Sequence, residues 1–466
     1  MEAKVIIAGG GLAGSEAAWQ IAERGMPVAL YEMRPQRPTP AHKSDHLAEL
    51  VCSNSLKSNT PGAASWLLKE ELRRAGSLLL RLAGECSVPG GSALTVDRDR
   101  FSSAVTKAIG GHPLIELRRE EIMEIVQDGP MLMASGPLTS DALAGSLQRL
   151  TGSESLAFYD SISPIVDAET LNMERIFRAS RYGKGGEDYL NCPMDENEYR
   201  AFYEALMGAE NVEAHEFEDR KYFEACLPIE ELARRGYDTL RYGPMRPVGL
   251  MDPRTGRRPF ALVQLRSENL RFSSYNLVGF QNHLKFPEQK RILRMIPGME
   301  NAEFLRMGQI HRNTYINAPK LLAPDLSLRC APQVSIAGQL SGVEGYVECI
   351  ATGLLAGVAL AHRVAQKPFA PPPRTTALGS LVHYITHANP DHYQPANIAF
   401  DLLPPVEGLP RHIARDRRAR RESQCQRALC DLANWLGELP LAFPPEAAGV
   451  THSPHDTAAA AGKTTD

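Results

Sequence analysis

Two cysteines lie in settings where sulfur chemistry competes with simple packing. Cys52 stands in LAELVCSNSLKSNT, after an apolar Leu-Val pair and ahead of a run of Ser, Asn, Lys and Thr. That stretch is neither a buried hydrophobic run nor a CxxC pair. Cys226 stands in RKYFEACLPIEELARRG, with Arg220 and Lys221 on its flank and Pro228 just beyond. A thiol with an ordinary pKa of about 8.5 is only slightly ionised at neutral pH, so a catalytic one needs cations or a general base nearby. A buried structural thiol remains the alternative at both positions. The other six cysteines (86, 192, 330, 349, 425 and 430) are scattered without metal-ligand spacing. They predict no metal site and, in a reducing compartment, no disulfide framework.

The elements that must position such thiols begin at the N-terminus. KVIIAGGGLAGSEAAWQIAERGMPVALYEMR reads as a β-branched strand (residues 5–8), the turn Gly9-Gly10-Gly11-Leu12-Ala13-Gly14, an Ala-rich helix, and a second strand (28–31) ending at Glu32. Glycines at this spacing make a tight turn, let backbone approach a pyrophosphate and let helix pack on strand. Glu32 follows the last glycine by 18 residues (32 − 14), where an acid accepts from ribose hydroxyls. The reading is dinucleotide binding, with FAD or NAD favoured over NADP. VSIAGQLSGVEGYVECIATGLLAGVALAHRV repeats the logic late in the chain. There Gly338, Gln339, Gly342 and Gly345 form a turn before a helix so rich in Gly and Ala that it must pack closely. Two-site flavoproteins use such a segment beside the flavin, which turns the dinucleotide into FAD. Tyr346 is placed to cover the isoalloxazine. A packed core helix and an ordinary packed tyrosine are the plain alternatives.

A chain of 466 residues that is 43% hydrophobic can bury a large core in more than one domain. Its formal net charge of −4 attracts no nucleic acid globally, so RNA contact would need local basic patches. The apolar runs are short and interrupted by Gly, which predicts no membrane span, and the location expected is cytoplasmic. TVDRDRFSSAVTKAI predicts a helix capped by Asp97. PMLMASGPLTSDALAGSL predicts a strand, a turn at Ser135-Gly136 and a helix from near Ser140, the pattern of a flavin-domain strand returning to its nucleotide. From about 181 to 328 the composition shifts to Tyr, Asn, Arg and Pro, and the flavin-type pattern resumes near Ala331. The expected fold is α/β: a two-dinucleotide-binding-type FAD Rossmann-like domain (1–180 and 329–440) with an inserted α/β domain (181–328). KPFAPPPRTT reads as an extended linker, and 441–466 as a disordered tail.

GGGLAGSEAAWQIAERG, AELVCSNSLKSN, GPLTSDALA, YFEACLPIEELARRG, RYGPMRPVGL, YNLVGFQNHLKFPEQKRILRMIPGMENAEF, HRNTYINAP and IAGQLSGVEGYVECIATGLLAG together resemble the folate- and FAD-dependent tRNA uracil-5-methyltransferase family, called TrmFO or Gid. The resemblance runs from about Val5 to Leu436. Its departures are small: Ser135 stands where many flavoproteins have Thr, and Ala225 precedes the cysteine. It implies that methylenetetrahydrofolate gives a one-carbon unit to C5 of a T-loop uridine (position 54) of tRNA through reduced FAD, with NAD(P)H as reductant. It also implies that Cys226 is the nucleophile on uracil C6 and Cys52 the base that removes the C5 proton. His283, His311, Arg312 and Asn313 are plausible folate contacts, against ordinary core or loop roles. Arg415, Arg417, Arg418, Arg420 and Arg421 could bind phosphates, against the commoner solvated helix face. Four other readings stay open: the same chemistry on ribosomal RNA, a wobble-uridine-modifying flavoprotein, a generic FAD oxidoreductase, and a flavin-binding structural partner without turnover, which would survive loss of both thiols.

Overall fold

The computed structural model describes residues 4–39, 41–153, 156–161, 163–183, 186–212, 227–308 and 310–442. Four parallel crossovers build the first sheet. In spatial order its strands are Ser327–Leu328, Ala331–Ile336, Met131–Met133, Val5–Ala8, Val28–Tyr31 and Ile115–Arg118, and only the first pairing is antiparallel. Val5, Ile7, Val28, Leu30, Met131, Leu132, Val334 and Ile336 are all fully buried, as expected where helices cover both faces of a parallel sheet. The strands expected at 5–8, 28–31 and 131–133 are therefore the ones that lie side by side within it. Within IELRREEIMEIV the strand covers Ile115–Arg118 and ends with its partner, Arg118 standing opposite Tyr31.

Two helices lie against each other under this sheet. The helix Leu12–Ala22 crosses the late helix Tyr346–Val364 with almost no side chain between them. A Cβ built on Gly353 would sit 2.3 Å from the Ala13 carbonyl oxygen, and one on Gly357 would sit 2.9 Å from the Ala17 Cα. Glycine is required at both positions. By length and apolar composition the late helix would suffice for a membrane span, yet 89% of that window is buried inside the protein. It is a core helix. The predicted caps also form: Asp97 accepts from the Arg100 N–H at the start of Arg98–Gly110, and Ser140 from the Leu143 N–H at the start of Asp141–Thr151.

The second sheet is antiparallel, in the order Phe177–Arg178, Tyr189–Met194, Ala261–Ser267, Ser274–Leu277, Ile165–Asp167 and Phe304–Arg306. Helices Glu196–Met207 and Phe286–Leu293 bury Tyr199, Phe202, Ile292 and Leu293 in a separate core with Val263, Leu265 and Leu277. A two-stranded ribbon, Leu156–Ser161 with Ile310–Tyr315, carries the chain out to this unit and back. In chain order the second sheet begins with Ile165–Asp167, ahead of residue 181.

Candidate functional site

An open cleft encloses about 1090 Å³, open solvent included, along the carboxyl ends of the Val5–Ala8 and Val28–Tyr31 strands. Ligands of open α/β sheets bind at this edge. Gly9, Gly11, Leu12, Ala13, Glu32, Gly136, Gly338, Gln339 and Tyr346 line it. Gly10, Gly14, Gly342 and Gly345 do not. Gly9 takes φ +106° where a Cβ would strike the Ala134 carbonyl at 2.5 Å, whereas Gly11 has nothing within 4 Å of its Cβ position. The first glycine makes the turn and the second leaves open space. Gly11 and Gly345 begin their helices with no side-chain cap, so two positive helix ends converge on one cleft.

At one end, Glu32 is 6% and Arg34 3% exposed. Glu32 Oε1 accepts from Arg34 N (3.0 Å) and Nε (2.8 Å), and Oε2 from Gly10 N (3.1 Å) and Arg34 Nη2 (3.2 Å). Burial pushes the Glu32 carboxyl up, but the hydrogen bond and charge of Arg34 outweigh it and hold the group below the usual carboxylate range. All four acceptor directions are filled. A ribose hydroxyl would have to share an oxygen with Arg34. His42, beside them, is pushed down to about 4 by burial and then by Arg34, so it is neutral at pH 7.

Cys52 does not itself line the cleft; it lies half-buried next to the lining Val51 and against the lining Tyr346. Its backbone N–H donates to the Tyr346 hydroxyl (2.9 Å), as does that of Ser53 (3.1 Å), and its Sγ lies 3.0 Å from the same oxygen. With two N–H groups accepted there, the phenolic proton points to the sulfur. Burial, then the Cys52 charge, raises Tyr346 well above its ordinary range, so it stays a donor. Arg98 Nη1 holds the Leu50 carbonyl (2.7 Å), and its Nε lies 2.5 Å from Glu268 Oε2. From the second sheet Arg266 donates to Asn54 Oδ1 (2.8 Å) and Ser53 Oγ (2.7 Å), while Asn54 donates to the Ser267 carbonyl (2.9 Å). The loop is pinned by both units. Arg98, Arg266 and Arg306 all interact electrostatically with Cys52. Arg306 also carries buried Nε and Nη2 atoms with no hydrogen-bond partner, donors suited to an anionic ligand group.

Cys226, with Arg220 and Lys221, lies outside the described residues. His283 is fully buried with Nδ1 2.6 Å from Glu230 Oε1, a partnership that explains it structurally. His311 and Arg312 pair with Asp160 and Tyr159 across the ribbon, and Asn313 is buried on the same strand. Sequence reasoning missed Arg34, His42, Arg98, Arg266 and Arg306. Arg34 alone left a local trace, a cation two residues beyond the acid.

A parallel sheet with two uncapped helix N-termini meeting at one cleft defines a dinucleotide-binding α/β protein of the two-site flavoprotein type. Residues 4–368 match the family described as glucose inhibited division protein A. The Methylenetetrahydrofolate--tRNA-(uracil-5-)-methyltransferase TrmFO of Solibacter usitatus (strain Ellin6076) is 62% identical over 434 residues, 92% of this chain and 98% of that one. Its namesake from Koribacter versatilis (strain Ellin345) is 57% identical over 442 residues, 94% and 98% of the two chains. The solved structure of Aquifex aeolicus GidA superposes with a TM-score of 0.68 at 15% identity, covering 93% of this chain and 73% of that chain, and shares the fold. The chain belongs to the glucose inhibited division protein A family, and within it to the TrmFO methyltransferases.

Proposed function

We propose that this enzyme forms 5-methyluridine at T-loop position 54 of tRNA, with methylenetetrahydrofolate as carbon donor, FAD as carrier and NAD(P)H as reductant. The observation that carries the reading is the Cys52 sulfur, hydrogen-bonded to Tyr346 where the late helix enters the nucleotide cleft. The cleft fits a dinucleotide. The open face of Gly11 and the first-turn amides of Leu12–Ala22 would take the pyrophosphate, Glu32 with Arg34 the adenosine ribose, and Gly338, Gln339 and Tyr346 the flavin end. When bound, FAD supplies the one-carbon and hydride chemistry that no side chain can.

The chain's own residues do the rest. Uracil C5 is a poor nucleophile until a thiolate adds at C6, and Cys226 takes that role. Once the carbon unit is joined to C5, Cys52 removes the C5 proton, the C5–C6 double bond re-forms and the bond from C6 to sulfur breaks. Tyr346 aims the Cys52 sulfur, and the surrounding guanidinium groups favour its anionic form. The target base must leave its stack to reach both sulfurs.

The test is to incubate the FAD-loaded enzyme with methylenetetrahydrofolate, NADPH and unmodified tRNA, then map methylated nucleotides by mass spectrometry. Methyluridine at position 54 is expected. Modification only at the wobble position, or only in ribosomal RNA, overturns the reading. Cys226→Ala should abolish turnover and any protein–RNA adduct; an unchanged rate would remove it from the nucleophile role.

A further inference from the structure

The arginine-rich segment has a structural counterpart. Helices Arg411–Arg415 and Arg417–Glu438 form one wall of an open hollow whose floor includes Leu403, Val406 and Leu409. Arg417, Arg420 and Arg421 face this hollow together with a single carboxylate, Asp401. From 411 to 421 the chain carries six arginines and one acid, in a protein whose formal net charge is −4. The acid, Asp416, is committed to the helix start, accepting from Arg418 N (2.7 Å) and Ala419 N (3.2 Å). Arg418 is paired with Glu422. Arg417 and Arg420 are exposed, and among the described residues neither has a carboxylate partner. Arg421 is held with its guanidinium carbon 5.0 Å from the Phe400 ring centroid.

This wall is tied to the Cys52 site. Asn397 Oδ1 accepts from Lys57 Nζ (2.5 Å), and Ile398 N donates to Glu348 on the late helix (3.1 Å). Phe400, three residues on, lies at most ~11 Å from Asn397, and Lys57 at most ~18 Å from Cys52. These are maximum spans, so with the Lys57 and Asn397 side chains added the hollow lies no farther than about 40 Å from Cys52, a distance one duplex of RNA can cover.

We propose that this hollow binds the sugar-phosphate backbone of the RNA substrate, with Arg417, Arg420 and Arg421 on phosphates, away from the reacting base. The proposal rests on the RNA-methyltransferase reading above. Two exposed arginines without a carboxylate partner, Arg420 steadied by the Ala414 carbonyl (3.0 Å), beside a third that is pre-oriented match an RNA strand, because each phosphate contact releases counterions.

The test uses the full FAD-loaded chain carrying Arg417→Ala and Arg420→Ala, with thermal unfolding as the check on folding. Binding of unmodified tRNA is measured by filter retention across a KCl series. Dissociation constants should rise ~10-fold near 0.1 M salt, and the log–log salt slope should shrink by about 1.4 to 1.8, the loss of two phosphate contacts. NADPH oxidation without RNA should be unchanged, and methylation should show a raised KM for tRNA at an unaltered kcat. An unchanged dissociation constant and slope would overturn the proposal. So would loss of oligoglutamate binding with tRNA binding intact, which would make the hollow a site for acidic peptide. If the unsubstituted chain binds tRNA through these arginines yet methylates nothing, the functional reading fails and this one stands.

Discussion

Cys52 and Cys349 both stand at the start of the late helix and interact with charges of opposite sign. Cys349 is three residues along the late helix from Tyr346 and lines the nucleotide cleft. Burial pushes its thiol far up, and the carboxylates of Glu344 and Glu348 push it further. Cys52 takes the Tyr346 hydroxyl and interacts electrostatically with three guanidinium groups instead, the buried Arg266 and the partly buried Arg98 and Arg306. Opening onto a cleft does not make a thiol reactive; the sign of the charge around it does. Cys349 then reads as packing that touches the site, and Cys52 as the sulfur to which the proposed function assigns the proton transfer.

The largest effect should come from exchanging these two thiols for Ala. Cys52→Ala should lower methyl transfer by ~10²-fold or more, the usual contribution of a general base, and Cys349→Ala should stay within ~3-fold of the unsubstituted enzyme. Equal losses in single-turnover assays would erase the distinction. Alkylation sharpens it: iodoacetamide at pH 7.5, followed by peptide mass spectrometry, should label Cys52 and spare Cys349 in the folded protein. Tyr346→Phe comes next. It leaves the Cys52 and Ser53 N–H groups without their acceptor, a cost of about 1–3 kcal/mol for each that stays buried. The rate should fall ~10-fold, the pH–rate profile should shift, and alkylation of Cys52 should change in rate. A changed rate with an unmoved profile would leave Tyr346 a packing residue.

The two ends of the cleft also differ in how far they could be foreseen. The glycine turn, Glu32 and the late helix are local patterns, because strand, turn and helix must follow one another within some thirty residues to make the crossover. Arg34 belonged to the same window, but nothing in its spacing says that it occupies the carboxylate. The Cys52 loop is the opposite case. Its order depends on Arg98, Arg266 and Tyr346, which lie 46, 214 and 294 residues away (98 − 52, 266 − 52, 346 − 52). Partners that distant follow no helical or strand period. Polar neighbours marked LVCSNS as unusual, and only the folded chain shows why each polar group is needed.

A smaller effect tests whether the late helix and its supports are as insensitive to pH as a packing role requires. Glu71 is fully buried and accepts from Ala377 N (2.7 Å) and Leu378 N (2.8 Å) at the start of Ala377–His387. Burial raises its carboxyl to about 8, the two N–H groups opposing only in part. The folded state then holds a proton that the unfolded state releases above about 4.5. Its contribution to stability is fully present below that value and is lost as pH rises through about 8. Glu71→Gln removes the titration while keeping the shape. Urea unfolding should therefore show the variant weaker than the unsubstituted protein at pH 5, by about 1 kcal/mol for one mismatched N–H, with the gap closing and reversing by pH 9 as the unsubstituted protein loses the stability of its protonated carboxyl. A gap that widens with pH would mean the N–H groups hold the carboxylate ionised, and the helix start would then be an anion-stabilising site rather than a neutral one.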